Sequence, residues 1–275
     1  MPLQPPIHGT RYMVSAGHFL ATQAGFDILE AGGNAVDAGV ASGMALGILH
    51  SDMVQFAGVA PIMIYLAETD EVVTISGLGW WPKAASLDRF VNEFGGSIPN
   101  GLLRTVVPAA PDAWIMALEK YGTMSFGDVA AASIRYARDG FSMHHVMRDY
   151  LVANEATYRG YPSSAEIYLP GGRVPDVGEN FVQSDLARSI QYMADEERSA
   201  AAKGRGAGLQ AARDAFFNQA IFRERGLWDQ HLFDDDPETF FAVSRRHGDL
   251  RTGRSASLRL DFGEELSLDR LVFET

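Results

Sequence analysis

The sequence contains no cysteine. Disulfides and thiolate-ligated zinc are therefore excluded, and so is a small secreted scaffold held by cross-links. Basic residues are few: 23 Lys and Arg stand against 35 Asp and Glu, for a net charge of −12. Such a chain repels polyanions and anionic lipid, so neither nucleic acid nor a membrane is an expected partner. No apolar run reaches the roughly 20 residues that span a bilayer. The longest, residues 35–49, is interrupted by Asp37 and several glycines. The opening Met1-Pro2-Leu3-Gln4-Pro5-Pro6 has no basic region and no apolar core, so no secretory leader is read there and a cytoplasmic location is the default expectation. What remains is an ordinary globular balance, 47% hydrophobic and 21% charged over 275 residues, enough for one large domain or two small ones.

One stretch organises the chain: Leu29-Glu30-Ala31-Gly32-Gly33-Asn34-Ala35-Val36-Asp37-Ala38. Upstream, Leu20, Ala21, Ala24, Ile28 and Ala31 fall on one helical stripe over residues 19–31. Gly32 and Gly33 suit the left-handed turn that closes a helix. Asn34 is a good N-cap for a second helix over 35–49. In that helix Gly39, Gly43 and Gly47 recur every fourth residue, which leaves one face bare and open to close approach by another backbone.

Further along, residues 12–17 read as a short strand. Residues 59–66 and 72–76 read as a hairpin around Glu68-Thr69-Asp70-Glu71. Helices are expected over 111–121, over 126–138 behind a Ser125 cap, from a Ser142 cap toward Tyr158, over 183–202, and over 213–222. Gly204-x-Gly206-x-Gly208 follows a helix and reads as a flexible loop, not a phosphate cradle. In the tail, Leu258, Leu260 and Phe262 alternate with polar residues as a strand does, and residues 268–273 are similar.

The run from Ala21 through Gly32-Gly33-Asn34-Ala35-Val36-Asp37-Ala38 resembles the opening of the γ-glutamyltransferase family, N-terminal-nucleophile amidohydrolases made as self-cleaving precursors. Val107-Pro108-Ala109-Ala110-Pro111-Asp112-Ala113-Trp114, Tyr121-Gly122-Thr123, Ala137-Arg138-Asp139-Gly140-Phe141 and Tyr168-Leu169-Pro170-Gly171-Gly172 continue the resemblance in order. It covers roughly residues 11–222, most of a large subunit. It implies an α/β (α+β) fold, part of a four-layer αββα sandwich with antiparallel sheet. Residues 1–222 are then a large-subunit domain. Residues 223–275 are a divergent, strand-forming tail. Asp234-Asp235-Asp236-Pro237 and Leu260-Asp261-Phe262-Gly263 weakly resemble the first strands of a discoidin-like jelly roll, in which the acidic run could hold calcium. An irregular strand pair and a solvated turn explain the same residues equally well.

The resemblance implies acyl transfer at an amide by a threonine that begins a small subunit. Its own α-amino group, with a pKa near 8, serves as the base. The family's Thr-Thr-His does not occur in the sequence, and no catalytic residue is assigned. An active enzyme then needs a small-subunit partner chain; the alternative is a binding subunit without activity of its own. Where the family carries an arginine that grips a substrate carboxylate, this sequence reads Ser76-Gly77-Leu78-Gly79-Trp80-Trp81-Pro82-Lys83. A lysine is a point charge, not a bidentate fork. Gly79, Trp80 and Trp81, with Gly58 from an altered glycine-rich loop, are therefore the candidate substrate-binding residues. They suit a flatter or more apolar acyl group on a small amide or peptide-like molecule, unless the tryptophans are simply core. His144 and His145 are adjacent and diverge on a helix, and no His-x-x-x-His or Glu-x-x-His pair exists, so neither a metal nor a cofactor is expected.

Overall fold

The structure, a computed structural model, describes residues 8–81, 85–99 and 101–217. It adds the backbone of three short strands at 240–242, 259–261 and 265–267. Lys83, the run Asp234–Asp236 and residues 268–273 lie outside this set. Among the described residues no helix is long and apolar enough to cross a membrane.

Helix α1 (Phe19–Glu30) and helix α2 (Ala35–Leu49) meet at the glycine corner as expected. Gly32 takes φ +93. Its amide donates to the Leu29 carbonyl at 3.1 Å, and the Gly33 amide to the Ile28 carbonyl at 2.9 Å. That is the paired closure of a Schellman turn. Asn34 then accepts the Val36 and Asp37 amides, while the Asp37 side chain accepts the Asn34 amide in return. Helix α2 is the centre of the molecule. Val40, Ala41, Met44, Ala45, Ile48 and Leu49 are buried, and the helix packs against α1, α4 (Ala110–Tyr121) and α5 (Phe126–Asp139). Its glycine face is used at Gly47, where an added Cβ would sit 2.9 Å from the Phe56 amide nitrogen.

The hairpin is β1 (Ile62–Leu66) against β2 (Glu71–Ile75), antiparallel with Ile64 opposite Val73. Residues 12–17 form no strand. The segment is held against α1 by the Tyr12–Phe26 ring contact and by the Ala16 amide on the Thr22 hydroxyl, and no strand pairs with it among the described residues. Helix α3 (Leu87–Phe94), capped by Ser86, was not expected. A two-residue ladder joins β3 (Phe141–Ser142) and β4 (Asn180–Phe181), so Ser142 lies in a strand and caps nothing. The cap of α6 (His145–Ala153) is His144. Short helices α7 (Glu155–Arg159) and α8 (Pro162–Tyr168) follow. Helix α9 (Ser184–Ala200) packs on α5 and on α10 (Arg205–Phe217). The glycine triplet is therefore no loop: Gly206 and Gly208 are helical, and Gly208 lets α10 lie against Glu197. In the tail, β5 (Phe240–Ala242), β6 (Arg259–Asp261) and β7 (Glu265–Ser267) form an antiparallel three-stranded sheet. The described residues are helix-rich α+β.

Three charged side chains fix the turn between α4 and α5. Asp37, wholly buried, accepts the Thr123 hydroxyl at 2.7 Å, the Thr123 amide at 2.9 Å and the Met124 amide at 3.2 Å. Glu197 accepts the Phe126 and Gly127 amides, both at 2.7 Å, at the positive end of α5. Arg205 donates to the Leu118 and Met124 carbonyls at 2.7 and 3.0 Å. Burial pushes the Asp37 carboxyl up. The hydrogen bonds from Thr123, Asn34 and Met124 outweigh it and hold the group below the usual carboxylate range.

Replacing Asp37 by Ala strands several buried amides, each at about 1–3 kcal/mol. The expected loss is at least 3 kcal/mol, a drop of roughly 6–12 °C in a thermal melt. Because the folded pKa is depressed, the stabilisation is present above the unfolded value near pH 4 and lost as pH falls below it. The variant should therefore show a flatter acid-side stability curve than the parent.

Candidate functional site

Strand β2 ends at the buried Ile75, and the chain turns through Gly77 and Gly79 at φ +52 and +73. Two backbone bonds fix this loop: the Ala60 amide donates to the Gly77 carbonyl at 2.8 Å, and the Val107 amide to the Trp80 carbonyl at 3.0 Å. A Cβ on Gly79 would lie 2.2 Å from the Val107 oxygen, so the approach needs glycine twice over, for its φ and for its lack of side chain. The loop bounds a cavity of about 380 Å³. The Val107–Ala109 segment and Asp112, Met116 and Lys120 of α4 close its other sides. Arg213 holds the Asp112 carboxylate at 2.6 Å.

Gly79 and Trp80 line this cavity, and Trp80 is 62% exposed, which removes the core explanation for that ring. Trp81 turns away and packs on Phe90 of α3 at 5.3 Å between centroids. Of the two tryptophans, Trp80 lines this cavity and Trp81 does not. Gly58 acts through its backbone: its carbonyl accepts the Ala109 and Ala110 amides at 3.0 Å each and so sets the start of α4. A second cavity, of about 490 Å³, lies between the bare face of α2 at Gly39 and Gly43 and strand β1. On the hairpin's outer face Met63, Tyr65 and Val72 are exposed.

The structure also gathers residues that the spacing in sequence kept apart. His18 caps α1, His50 ends α2 and His144 caps α6. Their rings lie 5.8 Å (His18–His50), 5.3 Å (His18–His144) and 4.3 Å (His50–His144) apart. Asp52 joins them, its Oδ1 3.3 Å from His50 Nδ1. Burial, then the neighbouring His144 and His50, lower the His18 pKa to about 4. Sequence reasoning paired His144 with His145, its neighbour in the chain; its neighbours in space come from two other helix ends. The available signal was weak, because histidine is not a preferred N-cap residue.

The helix order, the glycine corner and the hairpin with its re-entrant loop define part of an N-terminal-nucleophile hydrolase fold. A solved γ-glutamyltranspeptidase from Helicobacter pylori superposes with a TM-score of 0.64 at 29% identity, over 68% of this chain and 55% of that one. The family model described as gamma-glutamyltranspeptidase matches residues 21–211, and the chain belongs to that family. Among curated relatives, a glutathione hydrolase-like YwrD proenzyme of Bacillus subtilis is 33% identical over 71% of this chain. An acylase ACY 1 proenzyme of Pseudomonas sp. (strain V22) is 34% identical over 70%. The chain spans little more than a third of either relative, 37% and 36% of their lengths.

Gly79→Ala meets both the φ penalty and the Val107 oxygen. It should lower stability by about 2 kcal/mol or more. Gly171→Ala, with similar φ but open space around it, should cost only about 1 kcal/mol. Equal losses in paired thermal melts would show that the Gly79 approach is not tight.

Proposed function

We propose that this chain is the large-subunit portion of an amidohydrolase or acyltransferase that takes an apolar acyl group, with the nucleophilic threonine supplied by a small subunit. The observation that carries the substrate class is the Gly79–Trp80 cavity, where an exposed indole stands in a stretch without arginine. Relatives named for glutathione and for acyl groups are about equally similar to this chain, so the overall match does not choose between them, and the indole in the cavity wall supports the acyl-group reading. An indole face favours flat or apolar acyl groups and does not replace a guanidinium fork on a carboxylate. Asp112 and Lys120 at the rim suit the polar end of an amide or peptide-like molecule. Chemistry at the amide carbon requires an activated hydroxyl, and the small subunit brings it. Its place is the bare face of α2 and the exposed Met63, Tyr65 and Val72 of the hairpin, an apolar surface of the kind that drives association.

The purified chain should run uncut at 30.0 kDa and should not hydrolyse a γ-glutamyl anilide. By calorimetry it should bind a phenylacetyl amide at least tenfold more tightly than a γ-glutamyl amide, about 1.4 kcal/mol of preference, and Trp80→Ala should remove that preference. Turnover by the chain alone, or the opposite ranking of the two amides, would sink the reading.

A further inference from the structure

We propose that His50, Asp52 and His144 form a binding site for one divalent first-row transition-metal ion, with Zn²⁺ the best fit. The three residues each place one donor atom within 4.8 Å of the other two. A tetrahedral ion with bonds of about 2.0–2.2 Å sets its donors roughly 3.4 Å apart. His50 Nδ1 and Asp52 Oδ1 already stand at 3.3 Å, so the closing movement falls on His144.

The strongest pointer is Asp52. Its side chain is fully buried, and its Oδ2 has no hydrogen-bond partner. A buried carboxylate with one bare oxygen is costly unless a cation meets it. The imidazole contact on Oδ1 leaves the buried carboxylate half-satisfied, and a divalent ion bound through Oδ1 would neutralise its charge. The surroundings of His144 fit the same role. Its Nε2 faces the Leu49 carbonyl at 2.9 Å, the outer contact that orients a metal-bound imidazole. Its Nδ1 is held only by the Met147 amide at 3.3 Å, the long end of the hydrogen-bond range. Binding exchanges that weak helix cap for a metal bond. His18 walls the site, its ring centroid 5.8 Å from that of His50 and 5.3 Å from that of His144, and it is not one of the three residues whose donor atoms converge.

Two imidazoles and one carboxylate favour Zn²⁺ and its neighbours over Mg²⁺ or Ca²⁺, which need mostly oxygen donors. The fourth position is left to water. The ion would tie the C-terminal end of α2 to the N-terminal end of α6 and so act on stability. This inference is independent of the acyl-group reading, since none of its residues lines the Gly79–Trp80 cavity.

The test uses the full chain, stripped with a chelator and titrated with Zn²⁺ by calorimetry and with Co²⁺ by visible absorption. One equivalent should bind, Co²⁺ should show tetrahedral bands, and Zn²⁺ should raise the thermal midpoint. His50→Ala and the near-isosteric Asp52→Asn, checked for folding by circular dichroism, should each weaken binding at least tenfold. His145→Ala, at an exposed neighbour, should bind as the parent does. Absence of saturable binding would overturn the proposal, as would affinity unchanged in Asp52→Asn. A more stable Asp52→Asn that no metal stabilises in either form would mark the cluster as a His50–Asp52 ion pair only.

Discussion

The Asp37 carboxylate is the contact on which the rest of the molecule depends. It closes the capping box of α2 with one oxygen and holds the Thr123–Met124 turn with both. Asn34 adds a bond to the Tyr121 carbonyl at 2.7 Å. The start of the central helix is thereby locked to the end of α4 and the start of α5, which lie more than 80 residues later in the chain. A charge in this position is tolerated because both carboxylate oxygens accept hydrogen bonds. Glu197 and Arg205 repeat the device from α9 and α10. Charged side chains thus add to the caps that Asn34 and Ser125 already give α2 and α5, and Arg205 takes carbonyls at the end of α4 and in the turn after it.

With that frame rigid, the variable chemistry sits where the frame is open. The 76–81 loop is sewn to Ala60 and Val107 by backbone bonds, and its conformation rests on glycine. The side chains it carries can therefore change without changing its path. At Trp80 the loop presents an exposed indole to the cavity. The bare face of α2 and the outer hairpin face are the other open regions. Both are apolar; on α2 the open part is around Gly39, since Trp114 and Phe56 lie against Gly43 and Gly47.

Much of the helical scaffold was legible. The first two helices, the hairpin and the Ser125 cap appear where periodicity and capping residues put them. The misses share a cause. Residues 12–17 have strand composition, but a strand needs a partner, and none is described beside them. Gly206 and Gly208 have loop composition, but α10 needs small residues there to lie against Glu197. Ser142 has cap chemistry, but pairing with Asn180 claimed its backbone.

The sequence by itself determined the family, the α2 corner and an arginine-free run over 76–82, because each is carried by residues adjacent in the chain and read by local rules. Only the tertiary structure decided that Trp80 faces a cavity while Trp81 packs on Phe90. Only the meeting of three helix ends brought His18, His50, Asp52 and His144 together. Side-chain direction after two positive-φ glycines, and contact across more than 90 residues, depend on how the helices pack, and packing is not a local property of the chain.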